Sequence, residues 1–124
     1  MEAWVAYGDG GVAVVWGEEE FGSRDIYLRF GDGAGVAGAG PWNYTASNSF
    51  NQNTPVVVWA GDRWGVVWQD NSTTPKQLVM AEVWQDGGAA AGTTLMIDGG
   101  THLSNPVLAY SGEWKGYALV YMEG

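Results

Sequence analysis

The sequence predicts an all-β protein built from repeated units of about fifty residues. Three observations carry this reading. Short segments rich in Val, Trp, Tyr and Ile alternate with turns containing Gly, Asn, Asp and Pro. Gly and Pro interrupt the chain at short intervals, which disfavours helices. The same order of aromatics, turn residues and acids returns with an offset of 52 residues.

The repeat is clearest around two aromatics. Tyr7-Gly8-Asp9-Gly10-Gly11 leads to Trp16, and Trp59-Ala60-Gly61-Asp62-Arg63 leads to Trp68, with the aromatic pair nine residues apart in both. A third copy runs from Tyr110 to Tyr121 with two more residues in its turn. An acid stands two residues after each closing aromatic, at Glu18, Asp70 and Glu123. Asn53-Thr54-Pro55 precedes the second copy and Ser104-Asn105-Pro106 the third. The units are therefore about 1–52, about 53–103 and a partial third of about 104–124, within a single repeat domain.

Each full unit holds three strand-like segments and space for a fourth, and the partial third holds the first two. The first is apolar throughout (Val56 to Trp59, Val107 to Tyr110) and is expected to be covered on both faces. The second, Trp64 to Gln69, sends Trp64, Val66 and Trp68 to one face and Gly65, Val67 and Gln69 to the other. One face is bulky and the other small, the pattern of stacked sheets. The third, Ile26 to Phe30 or Leu78 to Trp84, carries Arg29 or Glu82 and is more polar. The fourth is weakest, at Tyr44 to Phe50 and Leu95 to Asp98. Burial is expected to fall from the first strand to the fourth. Gly-Asp turns join the first two segments, because Gly accepts positive φ.

The chain has 124 residues, with 5 Lys plus Arg, 14 Asp plus Glu and a formal net charge of −9. A chain so acidic lacks the positive face that nucleic acid or an anionic membrane requires, so neither is expected as a partner. With no cysteine there is no disulfide framework, thiolate metal site or cysteine nucleophile. No long apolar run reads as a membrane span, and the first residues do not read as a signal peptide. The compartment stays open, export of a parent protein included.

Pro55, Val57, Val58, Trp59, Gly61, Val66, Val67, Trp68 and Asp70, followed by Leu78, Val79, Asp86 and Gly87, resemble a bacterial β-propeller repeat. That resemblance implies propeller-like blades of four strands. It carries no catalytic set across: the WD40 Trp-Asp pair, the sialidase-type box and the tandem Asp-Gly calcium loop are absent. Two full units and half of a third do not close a ring, and wet blade flanks cost roughly 1.5–3 kcal/mol per large side chain. A homo-oligomer completing the ring, or a longer parent, is the expectation. A dimer would hold four full and two half units, for which a six-bladed ring is one solution.

The aromatics in step with the repeat read as packing between sheets. Trp42 and Tyr44, after the Gly-rich stretch, and Trp114, in a turn, are the candidate ligand-stacking residues. Asn53, Gln69, Asp70, Asn71 and Asn105 fall on loops that would share one ring face, where their polar groups suit hydroxyl ligands. Glu18 with Arg24 and Asp70 with Lys76 read as loop-closing ion pairs before they read as a polar rim. His102 stands alone as the single histidine, which leaves no zinc site of usual composition, and it reads as a solvated loop residue. The run from Gly31 to Gly40 lacks the Lys of a phosphate loop, and no cofactor motif is present. These readings lead to a non-catalytic, lectin-like carbohydrate-binding module. The rival readings are a self-assembling structural or protein-interaction scaffold and part of a propeller hydrolase.

Overall fold

A computed structural model describes residues 3–9, 11–20, 23–32, 42–43, 52–71, 75–84, 95–97 and 101–124. Every element among them is a strand. In chain order they are β1 (Ala3–Gly8), β2 (Gly11–Glu20), β3 (Ser23–Asp32), β4 (Trp42–Asn43), β5 (Gln52–Trp59), β6 (Trp64–Asp70), β7 (Gln77–Val83), β8 (Leu95–Ile97), β9 (Leu103–Ser111) and β10 (Gly116–Glu123).

These strands form three antiparallel meanders, β1-β2-β3-β4, β5-β6-β7-β8 and β9-β10, and the sheets do not close on one another. Each sheet is one structural unit, the first from Ala3 to Asn43, the second from Gln52 to Ile97 and the third from Leu103 to Glu123. Corresponding positions pair alike: Tyr7 faces Val12, Trp59 faces Trp64 and Tyr110 faces Tyr117. The likeness extends to a defect. Thr54 and Asn105, each just before a Pro, both adopt φ 50°. Each sits where its strand gains one residue over its partner, between Asn53 and Val56 and between Ser104 and Val107. Such a bulge frees the proline from the ladder, to which it cannot donate.

Apolar side chains hold the units together as a stack. Ala13, Val15, Ile26, Leu28 and Phe30 of the first unit pack with Val57, Trp64, Val66, Trp68 and Val79 of the second. On the other side of the second sheet, Val56, Val67, Leu78 and Met80 meet Leu108, Tyr117, Leu119 and Tyr121 of the third. At both junctions the later unit contributes its bulky face and the earlier unit its small face. Trp59 lies against the Cα of Gly8, and the Tyr117 ring lies against Gly65, where a Cβ would sit 2.6 Å from Cε1. Only a residue without a side chain admits a ring so close.

Burial follows position in the stack rather than strand order. β6 is buried at every position, whereas β1 is largely exposed and β9 alternates. A first strand is covered on both faces only when a unit lies on each side, as for β5. The apolar run of β9 therefore leaves Val107 and Ala109 exposed. The fourth strand of the first unit pairs through Trp42 and Asn43, opposite Leu28 and Tyr27, ahead of the expected segment. Tyr44 to Phe50 lies outside the described residues. In the second unit Leu95–Ile97 pairs with Leu78 to Met80, as expected.

Candidate functional site

A cleft of about 480 Å³ opens where the second and third units meet, at the end of the sheets that carries the β5–β6 and β9–β10 turns. Local sequence builds its first wall. Gly61 takes φ 92° and the Ala60 N–H donates to the Arg63 carbonyl at 2.7 Å, closing a four-residue turn that sets Asp62 and Arg63 at the rim. Tyr110 and Tyr117 form the opposite wall, an edge-to-face pair with centroids 5.2 Å apart. Lys115, held at φ 52° in the β9–β10 turn, completes the lining.

Glu82 organises the interior. It lies on β7 opposite Gly65, on the strand position that faces the third unit. Because Gly65 has no side chain, the Tyr117 ring crosses it and its hydroxyl donates to Glu82 Oε2 at 2.8 Å. Burial, then this bond to a carboxylate, pushes the Tyr117 phenol well above the usual tyrosine range, so it stays protonated and donating. Arg63 approaches the same oxygen at 3.7 Å. It also donates to both Asp62 oxygens, from Nε at 2.9 Å and from Nη2 at 3.1 Å. Its guanidinium carbon lies 4.5 Å from the centroid of the Trp84 ring. The hydrogen bond from Arg63 holds the Asp62 carboxyl below its ordinary range, and Asp62 in turn raises Arg63. Two acids and two bases line the cleft, so its walls are formally neutral within a strongly acidic chain.

The residues expected from sequence divide between two ends of the molecule. Asn53 faces Gln69 across β5 and β6, and Asp70 closes β6, so these three gather at the end away from the cleft. Gln69 and Asp70 are buried there, and Gln69 Nε2 donates to Asn71 Oδ1 at 3.0 Å. Asn105 is exposed at its bulge and donates to Met122 Sδ at 3.3 Å. Trp114 is 83 % exposed at the tip of the β9–β10 turn, with its N–H bonded to Ser111 Oγ. Trp42 lies on β4, and Tyr44 falls outside the described residues.

His102 is exposed yet structural: its Nδ1 accepts from the Lys76 N–H at 3.0 Å, and the Leu103 N–H donates to the Lys76 carbonyl at 3.1 Å. The second unit is tied to the third there. Glu18 accepts from the Trp16 indole at 3.2 Å. Among the described residues no group of three His, Cys, Asp or Glu is placed to hold a metal ion. Sequence reading did not single out the cleft residues Asp62, Arg63, Glu82, Lys115 and Tyr117. The signal available was Glu82 itself, an acid set in the apolar run Leu78-Val79-Met80-Ala81 and Val83. Comparison of the chain with family models, with curated proteins and with solved structures gives no match in any of the three.

Proposed function

We propose that this protein is a non-catalytic β-repeat binding module whose cleft between the second and third units takes a neutral, hydroxyl-rich ligand, with carbohydrate as the chemical class. The cleft's mixture of chemistry carries the reading. Tyr110 and Tyr117 offer aromatic edges, while Asp62, Glu82, Arg63 and Lys115 offer acceptors and donors without net charge. Vicinal hydroxyls both donate and accept, so they match such a lining better than an anion or a cation does. Binding is favoured over catalysis by the state of the groups. Tyr117 is held protonated, Arg63 carries a permanent charge, and Glu82 already accepts from Tyr117.

A glycan array followed by titration of tryptophan fluorescence tests this, with Trp84 beside Arg63 as the reporter. Arg63→Ala and Tyr117→Phe are expected to weaken binding at least tenfold, while Asn105→Ala at the other end leaves it unchanged. Absence of binding to every glycan by the folded protein would reject the reading. A self-assembling scaffold is the second reading, favoured by the apolar faces at the two ends of the stack.

A further inference from the structure

We infer that a second copy of this chain docks head to tail on the stack, the outer face of its first unit against the outer face of the third. The observation behind this is that the two end faces are the two halves of an interface the molecule already makes twice.

Within the chain, each junction sets a bulky face on a small one. Val57, Trp59, Trp64, Val66 and Trp68 cover the first unit, and Leu108, Tyr110, Tyr117, Leu119 and Tyr121 occupy the same repeat positions at the second junction. The corresponding face of the first unit carries Val5, Tyr7, Val12, Val14 and Trp16. No described element packs over it: Tyr7 is 80 % exposed and Val5 is 53 % exposed.

At the far end the small face repeats too. Val56, Val58, Gly65 and Val67 of the second unit receive the third, and the matching positions of the third unit are Val107, Ala109, Ala118 and Val120. Val107 is 51 % exposed and Val120 is 68 % exposed. A hollow of about 250 Å³ lies at the turn end of that face, between Ala109, Ser111, Trp114 and Ala118, and also borders Tyr110 and Tyr117.

The hollow sits where the repeat requires a knob. Trp59 lies against Gly8 at the first junction, and Ser111 is the repeat equivalent of Gly8. Tyr7 is the equivalent of Trp59, so a second copy placed by the same operation brings Tyr7 onto Ser111 and into the hollow. Two charged residues stand at the matched positions of the bulky face: Glu18, which accepts from the Trp16 indole where the second unit has Asp70, and Arg29, where the second unit has Ala81. Arg29 is exposed on β3, and its stem packs while its head stays in water. The contact is heterologous, so it adds copies around an axis and closes only if the rotation permits. A further indication of a shared axis is the groove of about 440 Å³ lined by Ala3 and Trp4, Pro55 and Val56, and Pro106 and Val107, the same positions from all three units.

The test uses the full chain with Tyr7→Arg or Val120→Arg, both at exposed positions, each checked for native circular dichroism. Sedimentation velocity over a hundredfold concentration range is expected to show wild-type chains associating and each variant alone remaining monomeric. An equimolar mixture of the two variants is expected to form a complex of two chains and nothing larger, because one intact face survives on each. A wild-type chain that stays monomeric overturns the proposal. So does either variant that still self-associates, or a mixture that forms no complex while wild type does. Should one variant fail to fold, Val5→Arg or Ala118→Arg replaces it on the same face.

Discussion

The Tyr117 ring rests directly on Gly65, and its hydroxyl reaches past that glycine to Glu82 Oε2 at 2.8 Å. Three residues from two units thus share one contact: a glycine that yields space, a ring that fills it and an acid that fixes the ring. The same relation links Gly8 and Trp59 at the first junction, without the acid.

Gly65 is not in the left-handed region, so alanine there carries no backbone penalty. The contact decides the sign instead. Gly65→Ala is expected to destabilise by about 1–3 kcal/mol, because Tyr117 must move. Gly112→Ala, with open space around its Cα, is expected to stay within about 0.5 kcal/mol of wild type. Urea denaturation of the two variants decides between these outcomes.

Trp64 is fully buried, stacked on Phe30 at 5.9 Å and edge-on to Trp59 at 4.7 Å. It joins two units at their centre. Trp64→Ala is expected to cost about 3–5 kcal/mol, measured by the shift of the denaturation midpoint. A loss below about 1 kcal/mol would mean that the first junction contributes little.

Tyr117 gives the alkaline limb of stability a defined sign. Its folded pKa lies above the unfolded value of about 10. The stabilisation is therefore complete below about pH 10 and falls as pH rises further, because the unfolded chain then releases a proton that the folded chain keeps. Tyr117→Phe is expected to be less stable at neutral pH by about 0.5–1.5 kcal/mol and to lose stability less steeply above pH 10 than wild type. Denaturation curves at pH 7 and above pH 10 compare the two proteins, and parallel losses would remove Tyr117 from this role.

The Asp62–Arg63 pair is geometrically good but solvated, with side chains 62 % and 29 % exposed. Asp62→Asn is expected to leave stability close to that of the wild type, because solvent screens the pair. The pair's place at the cleft rim makes ligand binding, read by fluorescence, the measurement in which the same substitution shows an effect.

Much of this arrangement was legible in the sequence, because repetition and alternation are local signals. The Trp64-Val66-Trp68 and Gly65-Val67-Gln69 faces read directly from a period of two, and the stacked sheets follow from them. Legibility ended where the third dimension entered. Glu82 comes opposite Gly65 only through strand register, and Tyr117 reaches it only once the units stack, 35 residues along the chain. Asp70 reads as lying beyond the strand, yet β6 extends through it because Gln52 pairs with it. The exposure of β1 likewise depends on neighbours in the stack, which a strand's own composition does not encode.

Stacking of bulky faces on glycine-bearing small faces is tested most directly by a double-mutant cycle at Gly65 and Tyr117. In the wild-type background Gly65→Ala is expected to destabilise. In a Tyr117→Ala background, with the ring gone, the same substitution is expected to become neutral or stabilising, because alanine restricts the unfolded chain more than glycine does. An identical cost of Gly65→Ala in both backgrounds would contradict the stacked arrangement of the second and third units.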